Sequence, residues 1–149
     1  MDPVKRSYLE SSLKMWEWIA EEPYRTKEDY LNIHPDLAPI KHNCFLCEYR
    51  NTTLKDLGFI CEVPCLVNWL PYNTKGNHYY RCENGRSLYH RWTKVAGMYS
   101  LLPKRPYLAQ RLARGIVNLH RDALGLPHIP LWVPPEHRNR CDTEKRINT

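Results

Sequence analysis

The sequence predicts a mainly α-helical protein: three longer helices around a loop-rich cysteine knuckle of zinc-binding spacing, followed by an extended proline-rich C-terminal strap. Three observations carry this. Apolar residues recur at helical spacing in three separate stretches, five of the six cysteines fall within residues 41–83, and four prolines crowd into the nine residues 127–135. No run of strand-like alternation competes with them.

The first helix is expected over residues 7–21, where Leu9, Leu13, Trp16 and Ala20 recur at spacings of four, three and four, with Trp18 and Ile19 widening the stripe. Pro23 stops it, because proline has no N–H for the helical ladder. Thr26 followed by Lys27, Glu28 and Asp29 has the form of an N-cap with an acidic first turn, so a short helix should run to Ile33, ahead of Pro35. Residues 41–83 show no sustained period and are expected to be loop-rich. The second long helix is expected over residues 87–100, through Leu88, Trp92, Val95 or Ala96, and Tyr99. The third spans residues 107–124, with Leu108, Leu112, Gly115 or Ile116, Leu119 and Ala123 inward, closed by Gly125 and Pro127. Residues 127–135 then form an extended strap and residues 136–149 a mobile polar tail. Residues 1–135 thus make one domain of this 149-residue chain.

Composition narrows the class. With 42% apolar and 26% charged residues the chain resembles soluble globular proteins. Its longest mostly apolar stretch, residues 59–70, is interrupted by Glu62, Pro64 and Asn68 and is too short to span a bilayer. The opening residues lack the apolar core of an export signal. Six cysteines without such a signal point to metal ligation or free thiols before disulfides.

Cys44 and Cys47 form a C-x-x-C pair, Cys61 and Cys65 follow after thirteen intervening residues, and Cys82 comes seventeen residues later. Two close pairs joined by a loop of this length suit one tetrahedral zinc ion, since short spacing lets two thiolates converge on it. Five cysteines compete for four places: Cys44 and Cys47, with two of Cys61, Cys65 and Cys82. His42 and His78 could substitute as ligands, although each reads first as a surface or hydrogen-bonded histidine, and Cys141 in the tail is expected to be a free thiol. A full set of thiolates leaves no open coordination position, so the zinc would be structural. The competing readings are a cluster of buried reduced thiols, an iron–sulfur cluster, and a redox C-x-x-C, the last without the βαβ setting it usually has.

Charge is unevenly divided. Residues 1–74 carry a net −3 and residues 75–149 a net +9. Arg111, Arg114, Asn118 and Arg121 share one face of the third helix, with Lys104 and Arg105 at its entry, a surface suited to phosphates or to carboxylates on a protein. Trp69, Tyr72, Tyr79, Tyr80, Tyr89 and Trp92 could stack on bases; packing around a small metal core explains them better. Trp132 in the strap could anchor a partner, or dock on the parent fold. Catalysis finds little support: there is no G-x-S-x-G, H-E-x-x-H or P-loop and no convincing carboxylate pair, and Asp122 beside His120 at a helix end is not evidence of one.

The runs KMWEWIAEEPYRTKEDYL, HNCFLCEY, ICEVPCLVNW and RCENGRSLYHRW resemble a group of small cysteine-rich proteins of tailed phages and prophages, over roughly residues 12–120. The resemblance implies Cys44, Cys47 and Cys82 as three zinc ligands, with Cys61 or Cys65 as the fourth. The group has no assigned activity. What it implies is a setting, the cytoplasm of an infected bacterium. Small size, charge polarity and a closed metal site lead to the expected function: a non-enzymatic, zinc-stabilised accessory protein that docks on a host or phage macromolecule, with inhibition of a host process as one use of such docking. The alternatives are a nucleic-acid-binding protein using the basic helix, and a metal-dependent nuclease, which would need a His-rich ββα element that the chain does not present.

Overall fold

The computed structural model describes residues 1–37, 44–53, 66–69, 82, 87–96 and 105–131, with the backbone alone for residues 50–53. Those residues are mainly helical and contain no strand: α1 spans Pro3–Glu21, α2 Lys27–Ile33, α3 Phe45–Thr53, α4 Leu88–Val95 and α5 Pro106–Leu124, with a single 3-10 turn at Pro35–Leu37.

Helix α1 starts at Pro3, six residues before the first residue of its apolar stripe and four before the expected start. Asp2 caps it, accepting from the Val4 N–H, and Pro3 occupies the first turn, where its missing N–H costs nothing. This polar turn is exposed, so no apolar period announces it. The predicted stripe of Leu9, Leu13, Trp16 and Ala20 is buried, together with Ser12, Met15 and Ile19. Helix α2 begins as expected with a full capping box, in which Thr26 Oγ1 accepts from the Asp29 N–H (3.2 Å) and Asp29 accepts from the Thr26 N–H (2.9 Å).

Helix α3 lies within the stretch expected to be loop-rich. It starts immediately after Cys44, whose carbonyl accepts from the Glu48 N–H at 3.0 Å, and it buries Phe45 and Leu46. Nine residues make two and a half turns, too few to establish a period in the sequence. Helix α4 is capped by Ser87 and ends at Val95; the rest of the segment expected to be helical, residues 97–100, lies outside the described residues.

Helix α5 ends in a Schellman arrangement. Gly125 takes a left-handed conformation (φ 71°), and the Leu126 and Gly125 N–H groups reach the Arg121 and Asp122 carbonyls at 2.8 and 3.1 Å. Gly125→Ala should cost about 1 kcal/mol, because a Cβ disfavours that conformation even in open space; an unchanged urea midpoint would contradict this.

Helix α5 is the hub of the described fold. It packs against α1 and α4, while α2 and α3 pack on α1. Ser12 faces His120, and the carbonyls of Ala20 and Glu21 accept from Gln110, so α1 and α5 run antiparallel. Gly115 lets α4 come close: a Cβ there would lie 2.9 Å from a methyl of Leu88. The core is aromatic. The Trp16 ring meets Trp92 edge-on at 4.9 Å, and Tyr89 lies against Trp16, Trp92 and Trp69. Trp69 and Trp92 are therefore buried in the interior, where they are unavailable to stack bases, and Tyr89 packs against them partly buried.

Candidate functional site

Cys44 precedes α3 and Cys47 lies in its first turn, so the C-x-x-C pair sits at a helix N-terminus. The Cys44 thiol is lowered to about 5, chiefly because the Cys47 thiol donates to it. Burial opposes the shift, and the positive charge of Lys27 and the N–H groups of Cys47 and Leu46 assist it. The pair is thus built to hold negative charge, the state in which cysteine ligates a metal.

Lys27 opens α2 and is only 5% exposed. Its ammonium stands 4.2 Å from the centre of the Tyr89 ring and 5.6 Å from that of Trp16, over their faces. Its sequence neighbours Glu28 and Asp29 are exposed, and Asp29 is engaged in the capping box. The spacing of residues gives no hint of this: a lysine in a first turn normally reads as surface.

Cys82 is half-buried, and its backbone carbonyl accepts from the Ser87 hydroxyl. Among the described residues, no three Cys, His, Asp or Glu side chains come together as a metal site. Cys61, Cys65, His42 and His78 lie outside the described residues, as do Cys141, Lys104, Tyr72, Tyr79, Tyr80 and Trp132. Of the predicted ligands, Cys44, Cys47 and Cys82 are described, and the three do not come together as one metal-holding group, which leaves Cys44 and Cys47 as a pair. They fit as half of a tetrahedral thiolate set, being two sulfur donors in one helical turn whose surroundings favour the thiolate.

The predicted basic face of α5 holds the strap. Arg114 Nε donates to the Pro130 carbonyl at 2.7 Å, and Arg121 Nε donates to the Pro127 carbonyl. Asn118 binds Ile129 twice, accepting from its N–H at 2.7 Å and donating to its carbonyl at 2.9 Å. His128 adds an exposed contact to Asp122. Residues 126–131 belong to no helix or strand, and Ile129 packs on the core. Three residues predicted to meet a ligand thus meet this chain's own backbone. Arg105 and Arg111 are exposed, and so are Arg91 and Lys94 on α4. Asn118→Ala should free the strap at a cost of about 1–2 kcal/mol, because two paired groups lose their partner. Hydrogen exchange at the Ile129 amide is the check; protection equal to wild type would refute it.

One pair has the geometry of a nucleophile and base. The Ser12 hydroxyl donates to His120 Nε2 at 2.7 Å, while His120 Nδ1–H donates to the Ile116 carbonyl at 2.8 Å. The carbonyl can only accept, which assigns the tautomer. Both side chains are sealed, at 1% and 0% exposure, and Nδ1 faces a carbonyl where a catalytic histidine would have an orienting carboxylate. The pair is a polar bolt between α1 and α5. A cleft of about 280 Å³ beside α1 and α3 includes Ser11, Asp36 and Glu48 in its wall, a negative lining unsuited to phosphate.

Comparison with protein-family models, curated proteins and solved structures gives no match to this chain. The functional reading therefore rests on its own residues. Among the described residues no helix is long and apolar enough to cross a membrane.

Proposed function

We propose that this chain is a non-enzymatic accessory protein, stabilised by a structural zinc ion at Cys44 and Cys47, that docks on a host or phage protein through its basic α4–α5 layer. The observation that carries the reading is the segregation of charge onto packed layers. Residues 87–131, which supply α4, α5 and the strap, hold seven Lys or Arg and one acid, whereas residues 1–37, which supply α1 and α2, hold five and eight. Arg91 and Lys94 stand a turn apart on α4, and the Arg105 N–H donates to the Val95 carbonyl at 2.8 Å, which places a third exposed cation at the same helix end. Such a surface attracts an acidic partner and accelerates its association.

Zinc bound by thiolates would cross-link the chain without exposing a reactive position. The burial of Ser12 and His120 supports a non-enzymatic role. A second reading, binding to nucleic acid, is favoured by the same four exposed cations and weakened by the loss of Arg114, Asn118 and Arg121 to the strap.

The test is a pull-down from bacterial host lysate with and without nuclease. The expected result is a protein partner retained after nuclease and weakened at least about tenfold by the double variant Arg91→Glu/Arg111→Glu, since reversing two charges turns attraction into repulsion. Recovery that collapses with nuclease would transfer the proposal to nucleic acid. In that case the logarithmic salt slope should fall by about one for each phosphate-contacting arginine removed.

A further inference from the structure

We infer that residues 126–131 are a displaceable cover, and that Arg114, Asn118 and Arg121 beneath them are the second half of the docking face, taking an acidic polypeptide segment in the strap's place. The inference rests on the docking reading above and specifies the chemistry of the partner and the closed state of the face.

The strap runs back along α5 in the opposite direction. It leaves the helix at Gly125, and its Pro127, Ile129 and Pro130 meet Arg121, Asn118 and Arg114 in turn. Leu131 reaches Gly115, where a Cβ would lie 3.9 Å from a Leu131 methyl. Arg111, one turn beyond Arg114 on the same face, is exposed. The strap therefore covers one end of a single row of polar side chains. The open end of that row continues from Arg111 toward Arg105, which meets the end of α4 at Val95. The exposed Asp122, the single acid of residues 87–131, lies at the Gly125 end, where His128 contacts it.

The cover is lightly held and the cations beneath it are underused. Of residues 126–131 only Ile129 is half-buried, and the other five are exposed. Arg114 and Arg121 donate Nε to uncharged carbonyls, and among the described residues neither forms an ion pair. A carboxylate offers them an opposite charge and a bidentate fit that a carbonyl lacks. Asn118 decides the class of occupant. It grips main chain, accepting from the Ile129 N–H and donating to the Ile129 carbonyl. A polypeptide presents both groups at every residue except proline, whereas a phosphodiester backbone has no donor for the Asn118 oxygen. An acidic segment laid along α5 can thus restore the Asn118 pair and give both arginines charged partners. What keeps the free protein closed is Ile129, whose side chain packs on the core.

The experiment measures binding of a short fluorescein-labelled oligoglutamate peptide to the full-length chain by anisotropy. Wild type, Ile129→Ser, Arg91→Glu/Arg111→Glu and the triple variant Ile129→Ser/Arg114→Gln/Arg121→Gln are compared. Ile129→Ser should bind at least about fivefold more tightly than wild type, because a covered face shows an affinity reduced by the fraction that is open. The triple variant should lose that gain; a retained gain would trace it to loosening of the chain and overturn the inference. Equal binding by Ile129→Ser and wild type, with Arg91→Glu/Arg111→Glu weaker, would overturn the inference and leave the docking reading standing. No binding, or binding indifferent to all of these substitutions, would overturn both. A single-stranded oligonucleotide that gains in Ile129→Ser where the peptide does not would overturn the polypeptide as occupant. Should Ile129→Ser not fold, wild type decides: saturating peptide should speed hydrogen exchange at the Ile129 amide, and an unchanged or slower rate would overturn the inference.

Discussion

Replacing Trp16 by alanine should cost the fold about 3–5 kcal/mol, measured from the urea midpoint at neutral pH. Trp16 is 1% exposed and lies where α1, α4 and the α2 lysine converge, with its ring edge-on to Trp92 at 4.9 Å and to Tyr89 at 6.1 Å. Truncation removes one of the buried core tryptophans, two aromatic contacts and one of the two ring faces over which Lys27 sits. The surrounding helices cannot close the gap, because α1 is bolted to α5 at both Ser12 and Gln110. Since domains of this size are stable by only about 5–15 kcal/mol, the variant should be marginal at 37 °C. Trp18→Ala is the control, because its partly buried ring packs at a tilt against Tyr30 and under the Arg25 guanidinium at the edge of the core. A loss at Trp16 below about 1.5 kcal/mol, or no larger than that at Trp18, would show that the aromatic cluster does not hold the bundle.

Acidification from pH 7.5 to 5.0 should remove about 2 kcal/mol of stability through His120 alone. Burial among α1, α5 and Trp69 lowers its imidazole from 6.5 to about 4; the bond to the Ile116 carbonyl opposes this, and the nearby charge of Lys27 adds to it. The folded value is depressed, so between the two the unfolded chain binds a proton that the native chain refuses, and stability rises with pH across that window. The contribution is complete above pH 6.5 and is lost progressively as pH falls toward 4, reaching about 3 kcal/mol in all. Other groups titrate in the same range, so the decisive quantity is a difference. His120→Gln should be less stable than wild type at pH 7.5, and the gap should narrow by about 2 kcal/mol at pH 5.0. A constant gap would mean that His120 is protonated in the native state, with the Ser12 bond rearranged.

Much of the architecture was legible because it is written locally. Pro23, the Thr26 and Asp29 capping box, and Gly125 act within a few residues of themselves, and each ended or began a helix where the pattern placed it. The elements that escaped were those without a periodic signature, the polar opening turns of α1 and the brief α3. The candidate site was half legible. The spacing of Cys44 and Cys47 announced a thiol pair, but nothing in the sequence showed that Lys27 would be buried over the faces of Tyr89 and Trp16. The arginine face was correctly located on one side of α5 and its occupant was not foreseen, since helical periodicity reports which residues share a face and says nothing of what will lie on it.

Helix content, helix ends, the uneven charge and the pairing of cysteines were thus determined by the sequence alone, through propensities and spacings that operate over one or two turns. The tertiary structure alone decided which polar groups go inside. Ser12 meets His120 across 108 residues of chain, and Gln110 reaches the end of α1 across 90. Burial of a hydroxyl, an imidazole or an ammonium is tolerable only when a partner arrives from elsewhere in the fold, and that arrival is a property of packing which no local pattern encodes.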